Sequence, residues 1–260
     1  MGSISFDRAA GYYDRTRELR PEVQAAVIDL LAGELRGRGR CLEIGVGTGR
    51  VALDLHAAGV PMAGIDLSRP MLDRLVQKAG GTPPFPLAVA DAIALPWRDG
   101  TFGAAIACHV LHLIPSWQAA AEELVRVVDR GGVILVDVGG DAPGVGRELV
   151  RYFFAQTRLG ARSRPGLVDP AELDRLLAGH GMAARPLAPV VRRRDVRVED
   201  VIRRLEEGVF SGCWPLDQEE RLAAGAATRK WARERIGSLE RVHSIEREIV
   251  WRAYEVPRSR

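Results

Sequence analysis

The chain has little of what marks several protein classes. Its 260 residues include three cysteines (Cys41, Cys108 and Cys213), which are too far apart to suggest a disulfide framework or a paired-cysteine metal site. No uninterrupted apolar run approaches the roughly 20 residues of a membrane-spanning helix. The opening residues also lack the apolar stretch of a secretory signal. We therefore expect a cytoplasmic protein with no membrane partner and no bound metal.

Lysine is scarce as well. Only Lys78 and Lys230 are lysine among 37 basic residues, and the net charge is +3. The arginines are spread among 34 acidic residues rather than forming a block, and a GC-rich genome would produce the same bias through its codons. The charge thus gives little support for a nucleic-acid partner. Hydrophobic residues at 47% and charged residues at 27% are ordinary globular values, which exclude a disordered chain.

Short apolar runs alternate with helical patterns over the first half of the chain. This alternation predicts an α/β fold with parallel strands, right-handed crossovers and helices on both faces of the sheet. The strands are almost entirely apolar, as expected when both faces are covered. The predicted strands are Arg40–Ile44, Pro61–Leu67, Leu87–Ala90, Phe102–Val110 and Val133–Val138. The predicted helices between and before them are Glu22–Leu35, Arg50–Ala58, Met71–Ala79 and Trp117–Val128.

After Gly139 the pattern becomes mostly helical. We predict one strand within Ala184–Val198 and a closing strand over Ile245–Val256. The predicted helices are Arg147–Arg158, Pro170–Gly181, Val201–Glu207 and Glu219–Leu239. Because neither a repeat nor a linker interrupts the chain, we expect a single domain over 1–260.

A glycine-rich turn follows the first predicted strand. Gly45, Gly47 and Gly49 permit positive φ angles and the close approach of a ligand to the backbone. A dinucleotide fingerprint would need glycine where this chain has Arg50, which argues against an NAD-dependent oxidoreductase. Glu43 lies just before the turn, where a carboxylate suits the cationic end of a cofactor better than a pyrophosphate.

Two more carboxylates end the next predicted strands. Asp66 lies where a carboxylate accepts hydrogen bonds from ribose hydroxyls, and Asp91 lies where one accepts from an exocyclic adenine amine. Each alone is also explained as a helix N-cap. Together with the glycine turn, these residues at successive strand ends predict a nucleoside-binding crevice.

Five successive segments resemble the motifs of class I S-adenosylmethionine-dependent methyltransferases. They are CLEIGVGTGR, AGIDLSRPML, ADAIALPW, FGAAIACHVLHLIPSW and RGGVILVDV, and the most similar group is type 11, which includes the quinone-biosynthesis methyltransferases. The opening FDRAAGYYDRTR resembles the N-terminal lid of that group. The resemblance implies a Rossmann-like, seven-stranded, mostly parallel sheet of order 3-2-1-4-5-7-6 with a reversed final strand. It divides the chain into a lid (1–20), a cofactor-binding core (21–138) and helical elements on the acceptor side (139–182 and 199–244).

The resemblance also implies a cofactor, S-adenosyl-L-methionine, with S-adenosyl-L-homocysteine as product. The three glycines would form the cofactor loop and Glu43 would lie near the methionine amine. Asp66 would hold the ribose diol, and Asp91 the adenine amine. The other residues implied at the cofactor are Tyr13 and Arg17 (methionine carboxylate), Leu67, Met71 and Ala92 (adenine), and Cys108 and His109 (methionine chain). Two positions depart from the family pattern: Gly103 replaces the usual aspartate and Arg130 the usual proline.

Methyl transfer from a sulfonium needs alignment of acceptor, methyl and sulfur, and a hydroxyl acceptor also needs a general base. The candidate bases are His112, which we favour, and His109. His112 is equally explained as a helix-start histidine bonded to nearby backbone. His112→Ala is expected to reduce turnover while leaving cofactor affinity nearly intact.

The expected partner is a small-molecule methyl acceptor, and the chain is expected to be a monomer or homodimer. Aromatic residues after the fifth strand are candidates for acceptor selection or for core packing: Tyr152, Phe153, Phe154, Phe210 and Trp214. Arg147 and Arg151 could meet an acidic acceptor or form a solvated face. The alternatives are a nucleic-acid methyltransferase, although no Asp/Asn-Pro-Pro-aromatic motif follows the fourth strand, and a non-catalytic cofactor-binding regulator.

Overall fold

The computed structural model describes residues 3–139, 144–160 and 165–258, which form two compact units. The first unit comprises residues 3–139, 165–190 and 249–258, and the second comprises 144–160 and 191–248. The segment 139–182 that we expect on the acceptor side includes 140–143 and 161–164, which lie outside the described residues.

The described residues contain strands and helices at nearly all the predicted places. The strands are β1 (Cys41–Ile44), β2 (Met62–Asp66), β3 (Leu87–Val89), β4 (Phe102–Ala107), β5 (Val128–Asp137), β6 (Ala184–Pro186), β7 (Val190–Arg197), β8 (Val242–Ile249) and β9 (Trp251–Glu255). The α-helices are α1 (Tyr13–Arg17), α2 (Pro21–Leu35), α3 (Ala52–Ala57), α4 (Arg69–Lys78), α5 (Trp117–Val127), α6 (Val145–Ala155), α7 (Pro170–Gly179), α8 (Val198–Glu206) and α9 (Gln218–Arg235). Short 3-10 helices cover Asp7–Ala9, Leu111–Leu113 and Ser211–Cys213. No described helix combines the length and the apolar character needed to cross a membrane.

The first unit is built on a seven-stranded sheet of order β3-β2-β1-β4-β5-β9-β6. Strands β1 to β5 pair in parallel, and β9 lies antiparallel between β5 and β6. Counted within this sheet, β9 is the seventh strand, so the predicted order 3-2-1-4-5-7-6 with a reversed final strand is confirmed. Parallel pairing brings the carboxyl ends of β1 to β5 to one edge of the sheet, where ligands bind in open α/β sheets.

Both faces of this sheet are covered by helices. Alternate residues of β1 enter two different clusters, with Leu42 and Ile44 in one and Cys41 in the other. The first cluster includes side chains of α5 and α7, and the second includes side chains of α2, α3 and α4. Because β1 is buried on both faces, Glu43 enters the interior with only 3% of its surface exposed.

Strand ends differ from the sequence prediction in ways that affect the site. β4 ends at Ala107 rather than Val110, and His109 takes a φ of 52°. The predicted closing strand Ile245–Val256 is two strands, because β8 pairs with β7 in a separate ribbon while β9 joins the large sheet. The single strand predicted within Ala184–Val198 is likewise divided into β6 and β7.

The two departures from the family pattern have local explanations. A Cβ added to Gly103 would lie 1.3 Å from the backbone oxygen of Arg38, so this backbone admits only glycine there. The backbone N–H of Arg130 donates to Asp129 Oδ1 at 2.7 Å, a hydrogen bond that proline cannot make. Both substitutions therefore agree with the local backbone.

Gly103→Ala is expected to destabilise the chain by at least about 2–3 kcal/mol, because its clash is with backbone rather than with a movable side chain. The measurement is urea unfolding. The matched control is Gly33→Ala in α2, where an added Cβ meets nothing within 4 Å and should stabilise the helix by about 0.5–1 kcal/mol. Equal stability of the Gly103→Ala chain and the unmodified chain would contradict this account.

The second unit has its own core. Phe153 and Phe154 are buried there, with 0% and 4% of their surface exposed, which accounts for both as core residues. The Tyr152 ring stacks on Trp231 with centroids 4.7 Å apart. Arg229 forms ion pairs with Glu199 and Glu206.

Candidate active site

A pocket lies where β1, β2 and β4 end and where β3 is followed by Asp91. Ten of the predicted cofactor residues line it: Tyr13, Gly45, Gly47, Asp66, Leu67, Met71, Asp91, Ala92, Cys108 and His109. Three others, Arg17, Glu43 and Gly49, lie outside its lining, and so does the favoured base His112. Lining residues that the sequence analysis did not single out are Ser3, Ile4, Phe6, Ile65, Ala90, Val110, Leu113 and Ile114.

The glycine turn forms one wall of the pocket. Gly45 and Gly47 have φ angles of +63° and +55°, which side chains other than glycine rarely adopt. A Cβ at Gly45 would lie 2.5 Å from Val110 Cγ2. Gly49 instead packs against α3 and α4, since its Cβ would meet Leu53 and Leu75 within 3 Å. Gly45 and Gly47 therefore line the pocket, whereas Gly49 allows the turn to pack closely against α3 and α4.

Asp66 connects this turn to the end of β2. Its carboxylate accepts hydrogen bonds from the backbone N–H groups of Gly47 and Ser68, each at 2.8 Å. Burial raises the pKa of Asp66, and these two hydrogen bonds act in the opposite direction. Asp91 is held differently, because it accepts from the Ser3 hydroxyl at 3.2 Å and from the Ile93 N–H at 3.3 Å.

Glu43 lies beneath the turn with an unused acceptor. The backbone N–H of Ala52 donates to its carboxylate, whereas Oε2 is buried without a hydrogen-bond partner among the described residues. Burial raises the pKa of Glu43 to about 8, although the nearby Arg50 guanidinium lowers it. Leaving a buried acceptor unpaired is costly, so a ligand amine that reaches Oε2 would relieve an existing cost.

The N-terminal segment contributes further side chains to the pocket. Phe6 and Tyr13 line the pocket and make an edge-to-face contact at 5.9 Å. Asp14, which the sequence analysis did not single out, accepts a short hydrogen bond from the Thr48 hydroxyl in the glycine turn. Arg17 lies with its guanidinium 6.0 Å from the Tyr13 ring, and its Nε is buried without a partner among the described residues.

A second group of polar side chains lies at the ends of β4 and β5. His109 Nε2 is 3.1 Å from Asp137 Oδ2, and the Asp137 side chain is only 1% exposed. Cys108 Sγ is 3.8 Å from the same oxygen, and Arg50 Nη2 donates to this sulfur at 3.2 Å. Burial raises the pKa of the Asp137 carboxyl and of the Cys108 thiol. Asp137 is not among the residues predicted from the sequence, although it ends a strand, as Asp66 does.

The sheet order defines a Rossmann-like fold, and the glycine turn and the strand-end carboxylates lie together at the carboxyl edge of its sheet. Residues 42–136 match the profile of the family described as "Methyltransferase domain". This match, with the methyltransferases among the chain's relatives, shows that residues 42–136 are similar to the type 11 group of class I S-adenosylmethionine-dependent methyltransferases.

Two curated relatives show the extent of the likeness. A phosphatidylethanolamine N-methyltransferase from Cereibacter sphaeroides is 36% identical over 38% of this chain and 49% of its own length. A malonyl-[acyl-carrier protein] O-methyltransferase from Geobacter sulfurreducens is 32% identical over 53% of this chain and 52% of its own length. The chain thus spans about half the length of these relatives.

Solved structures share the fold at low identity. The YcgJ protein of Bacillus subtilis matches with a TM-score of 0.61 at 17% identity, over 93% of this chain and 100% of its own. The [4+2]-cyclase SpnF matches with a TM-score of 0.57 at 17% identity, over 94% of this chain and 85% of its own. A third structure is a Haemonchus contortus phosphoethanolamine N-methyltransferase 2 in complex with S-adenosylhomocysteine. It matches with a TM-score of 0.53 at 16% identity, over 90% of this chain and 52% of its own. Because a cyclase shares the fold, activity has to be argued from the site.

Proposed function

We propose that the chain transfers a methyl group from S-adenosyl-L-methionine to an oxygen, nitrogen or carbon atom of a small molecule. The observation that carries this proposal is the pocket that joins the open glycine turn to Asp66 and Asp91. S-adenosyl-L-methionine supplies an activated methyl carbon, so the protein has to bind, orient and exclude water rather than form a covalent intermediate.

The chain's residues fit this cofactor on chemical grounds. The partnerless Glu43 Oε2 is a suitable acceptor for the methionine amine, and the Arg17 guanidinium is a suitable donor to the methionine carboxylate. Asp66 is assigned to the ribose diol and Asp91 to the adenine amine. Leu67, Met71 and Ala92 line the pocket and are assigned to the adenine ring, where apolar contact matches its faces.

We further propose His109, rather than His112, as the general base for a hydroxyl acceptor. His109 lines the pocket and contacts a buried carboxylate, which is the arrangement that fixes an imidazole tautomer. With the proton on Nε2 directed at Asp137, Nδ1 is the ring atom that receives the acceptor proton. Asp137 acts on the acceptor only through His109, as a positioning residue.

Calorimetry separates the cofactor classes. The chain is expected to bind S-adenosyl-L-methionine and S-adenosyl-L-homocysteine but not NAD. A panel of phenol, amine and quinone acceptors should then reveal a substrate through release of S-adenosyl-L-homocysteine. Binding of NAD alone would refute the proposal, and cofactor binding without transfer to any acceptor would favour the non-catalytic regulator.

Asp66→Ala is expected to weaken cofactor binding by about 1–3 kcal/mol, or about 5-fold to 150-fold in Kd, because ribose hydroxyls would be left unpaired. Calorimetry measures the change. The control is Asp73→Ala, which removes an exposed carboxylate on α4 that pairs only with Arg69 among the contacts described. Equal affinities of the Asp66→Ala and Asp73→Ala chains would contradict the assignment of Asp66.

A further inference from the structure

We propose that Cys108, His109 and Asp137 form a binding site for a thiophilic divalent cation of the Zn²⁺ class. We also infer that its occupancy stops methyl transfer to a hydroxyl acceptor by engaging His109. The binding site stands on geometry alone, and its regulatory effect rests on the proposed function. The sequence predicts no metal, because the three cysteines are distant from one another along the chain.

Two of the three spacings between the ligand atoms are close to those of a tetrahedral ion. Cys108 Sγ, a His109 ring nitrogen and an Asp137 carboxylate oxygen all lie within 4.8 Å of one another. The nitrogen–oxygen distance is 3.1 Å and the sulfur–oxygen distance is 3.8 Å. With ordinary zinc bond lengths, a tetrahedral site has nitrogen–oxygen and sulfur–oxygen distances of about 3.3 and 3.5 Å. These two distances therefore need to change by only a few tenths of an ångström.

The backbone brings these ligands together. Cys108 and His109 follow β4, and Asp137 ends the neighbouring β5. His109 is the one non-glycine residue with positive φ in the described part of the chain. Such a conformation costs about 1–3 kcal/mol and is concentrated at functional sites. The conformational cost at His109 favours a functional role for the position of its imidazole beside Asp137.

The ligand types select the class of ion. A thiolate with an imidazole suits Zn²⁺ or Co²⁺, whereas Mg²⁺ and Ca²⁺ require oxygen ligands. Cys108 and His109 both line the pocket, so an ion can reach them from it. Three protein ligands leave a fourth tetrahedral position for water or a ligand group.

The surrounding charges are compatible with the ion. On binding, the metal replaces the thiol proton, which leaves to water, and the sulfur becomes a thiolate. The thiolate and the Asp137 carboxylate then balance the two positive charges of the metal. Arg50 donates to the sulfur, and the resulting thiolate is a stronger acceptor for this hydrogen bond than the thiol. Hydrogen bonds to the ligand atoms are normal in metal sites.

Occupancy has a direct consequence for the proposed base. The metal takes His109 Nε2 and Asp137 Oδ2, so the hydrogen bond between them is lost. Coordination uses the Nε2 lone pair, so the proton of the neutral imidazole moves to Nδ1, the atom that would otherwise receive the acceptor proton. A Zn²⁺-loaded chain should therefore have low turnover with a hydroxyl acceptor.

Titration of the full, tag-free chain with Co²⁺ tests the site without cofactor or acceptor. One equivalent is expected to bind, with a near-ultraviolet absorption band from thiolate-to-cobalt charge transfer. Cys108→Ser should abolish the band, and Asp137→Asn should weaken binding at least about tenfold, since loss of outer contacts alone costs 10–100-fold. The matched control is Cys213→Ala, which removes a buried cysteine of the second unit and should leave the band unchanged.

Two further measurements complete the test. Zn²⁺ should displace Co²⁺ and raise the melting temperature of the unmodified chain but not of Cys108→Ser. Zn²⁺ should also lower turnover of the unmodified chain more than that of Cys108→Ser, each relative to its own metal-free rate. Absence of the band in the unmodified chain, or its persistence in Cys108→Ser, would overturn the site. Co²⁺ uptake by a chain that ignores S-adenosyl-L-methionine would refute the proposed function alone.

Discussion

His109→Ala is expected to lower kcat for a hydroxyl acceptor by about 10²–10⁴-fold, the usual contribution of a positioned general base. The reason is that His109 lines the pocket and contacts the buried Asp137 at 3.1 Å. Cofactor affinity should change far less than kcat, because the base acts on the acceptor. Steady-state kinetics, with cofactor binding measured separately by calorimetry, gives both quantities.

Three comparison variants test which histidine is the general base. Asp137→Asn should lose part of the rate, because the imidazole remains but its orientation is no longer fixed. His56→Ala, at an exposed position on α3, should retain full activity. His112→Ala tests the other candidate base. Full kcat in His109→Ala together with a large loss in His112→Ala would replace our assignment with the alternative from the sequence.

Cofactor binding is expected to release a proton below pH 8, through Glu43. Burial raises the pKa of this carboxyl to about 8, so it is largely protonated near pH 6 in the cofactor-free chain. A methionine ammonium needs the ionised carboxylate, so the affinity should rise by up to about tenfold per pH unit as pH approaches 8. Calorimetry in two buffers of different ionisation enthalpy measures the released proton.

The matched variant is Glu43→Gln, which retains the shape but cannot ionise. At pH 8 this variant should bind the cofactor more weakly than the unmodified chain does. Its affinity should not vary with pH in this way, and binding should release no proton from this position. If the unmodified chain and Glu43→Gln released equal numbers of protons, the assignment of Glu43 to the amine would fail.

The same group has a defined effect on stability. The pKa of Glu43 in the folded chain lies above its ordinary value of 4.5, so the folded state binds more protons between these values. Its contribution to folding therefore decreases as pH rises, with a slope of about 1.4 kcal/mol per pH unit between about 4.5 and 8. Glu43→Gln should remove this component from the pH dependence of urea unfolding.

The fold of the first unit could be predicted from the sequence, because the patterns that indicate its strands and helices are local. Buried parallel strands are apolar throughout, and carboxylates at their ends must meet at one sheet edge. Glu43, Asp66 and Asp91 could be found in this way. Asp137 obeys the same rule and was within reach of the sequence.

The proposed base was less accessible from the sequence, because the place where β4 ends decides which histidine lines the pocket. A strand continuing to Val110 would direct attention to His112. β4 instead ends at Ala107, and the positive φ of His109 accompanies its place in the pocket lining. The division of Ile245–Val256 was inaccessible for a different reason, since a strand has the same alternating pattern whichever sheet it joins.

If Asp91 binds the adenine amine as proposed, its hydrogen bond with Ser3 makes the N-terminal segment a competitor of the cofactor. The Ser3 hydroxyl approaches both oxygens of the carboxylate assigned to the adenine amine, at 3.2 and 3.3 Å. If adenine binds there, its amine replaces the Ser3 hydroxyl as the partner of Asp91. The measured binding free energy is then the difference between the free energies of these two interactions. By linkage, whatever loosens residues near Ser3 strengthens cofactor binding, and bound cofactor loosens those residues by the same free energy.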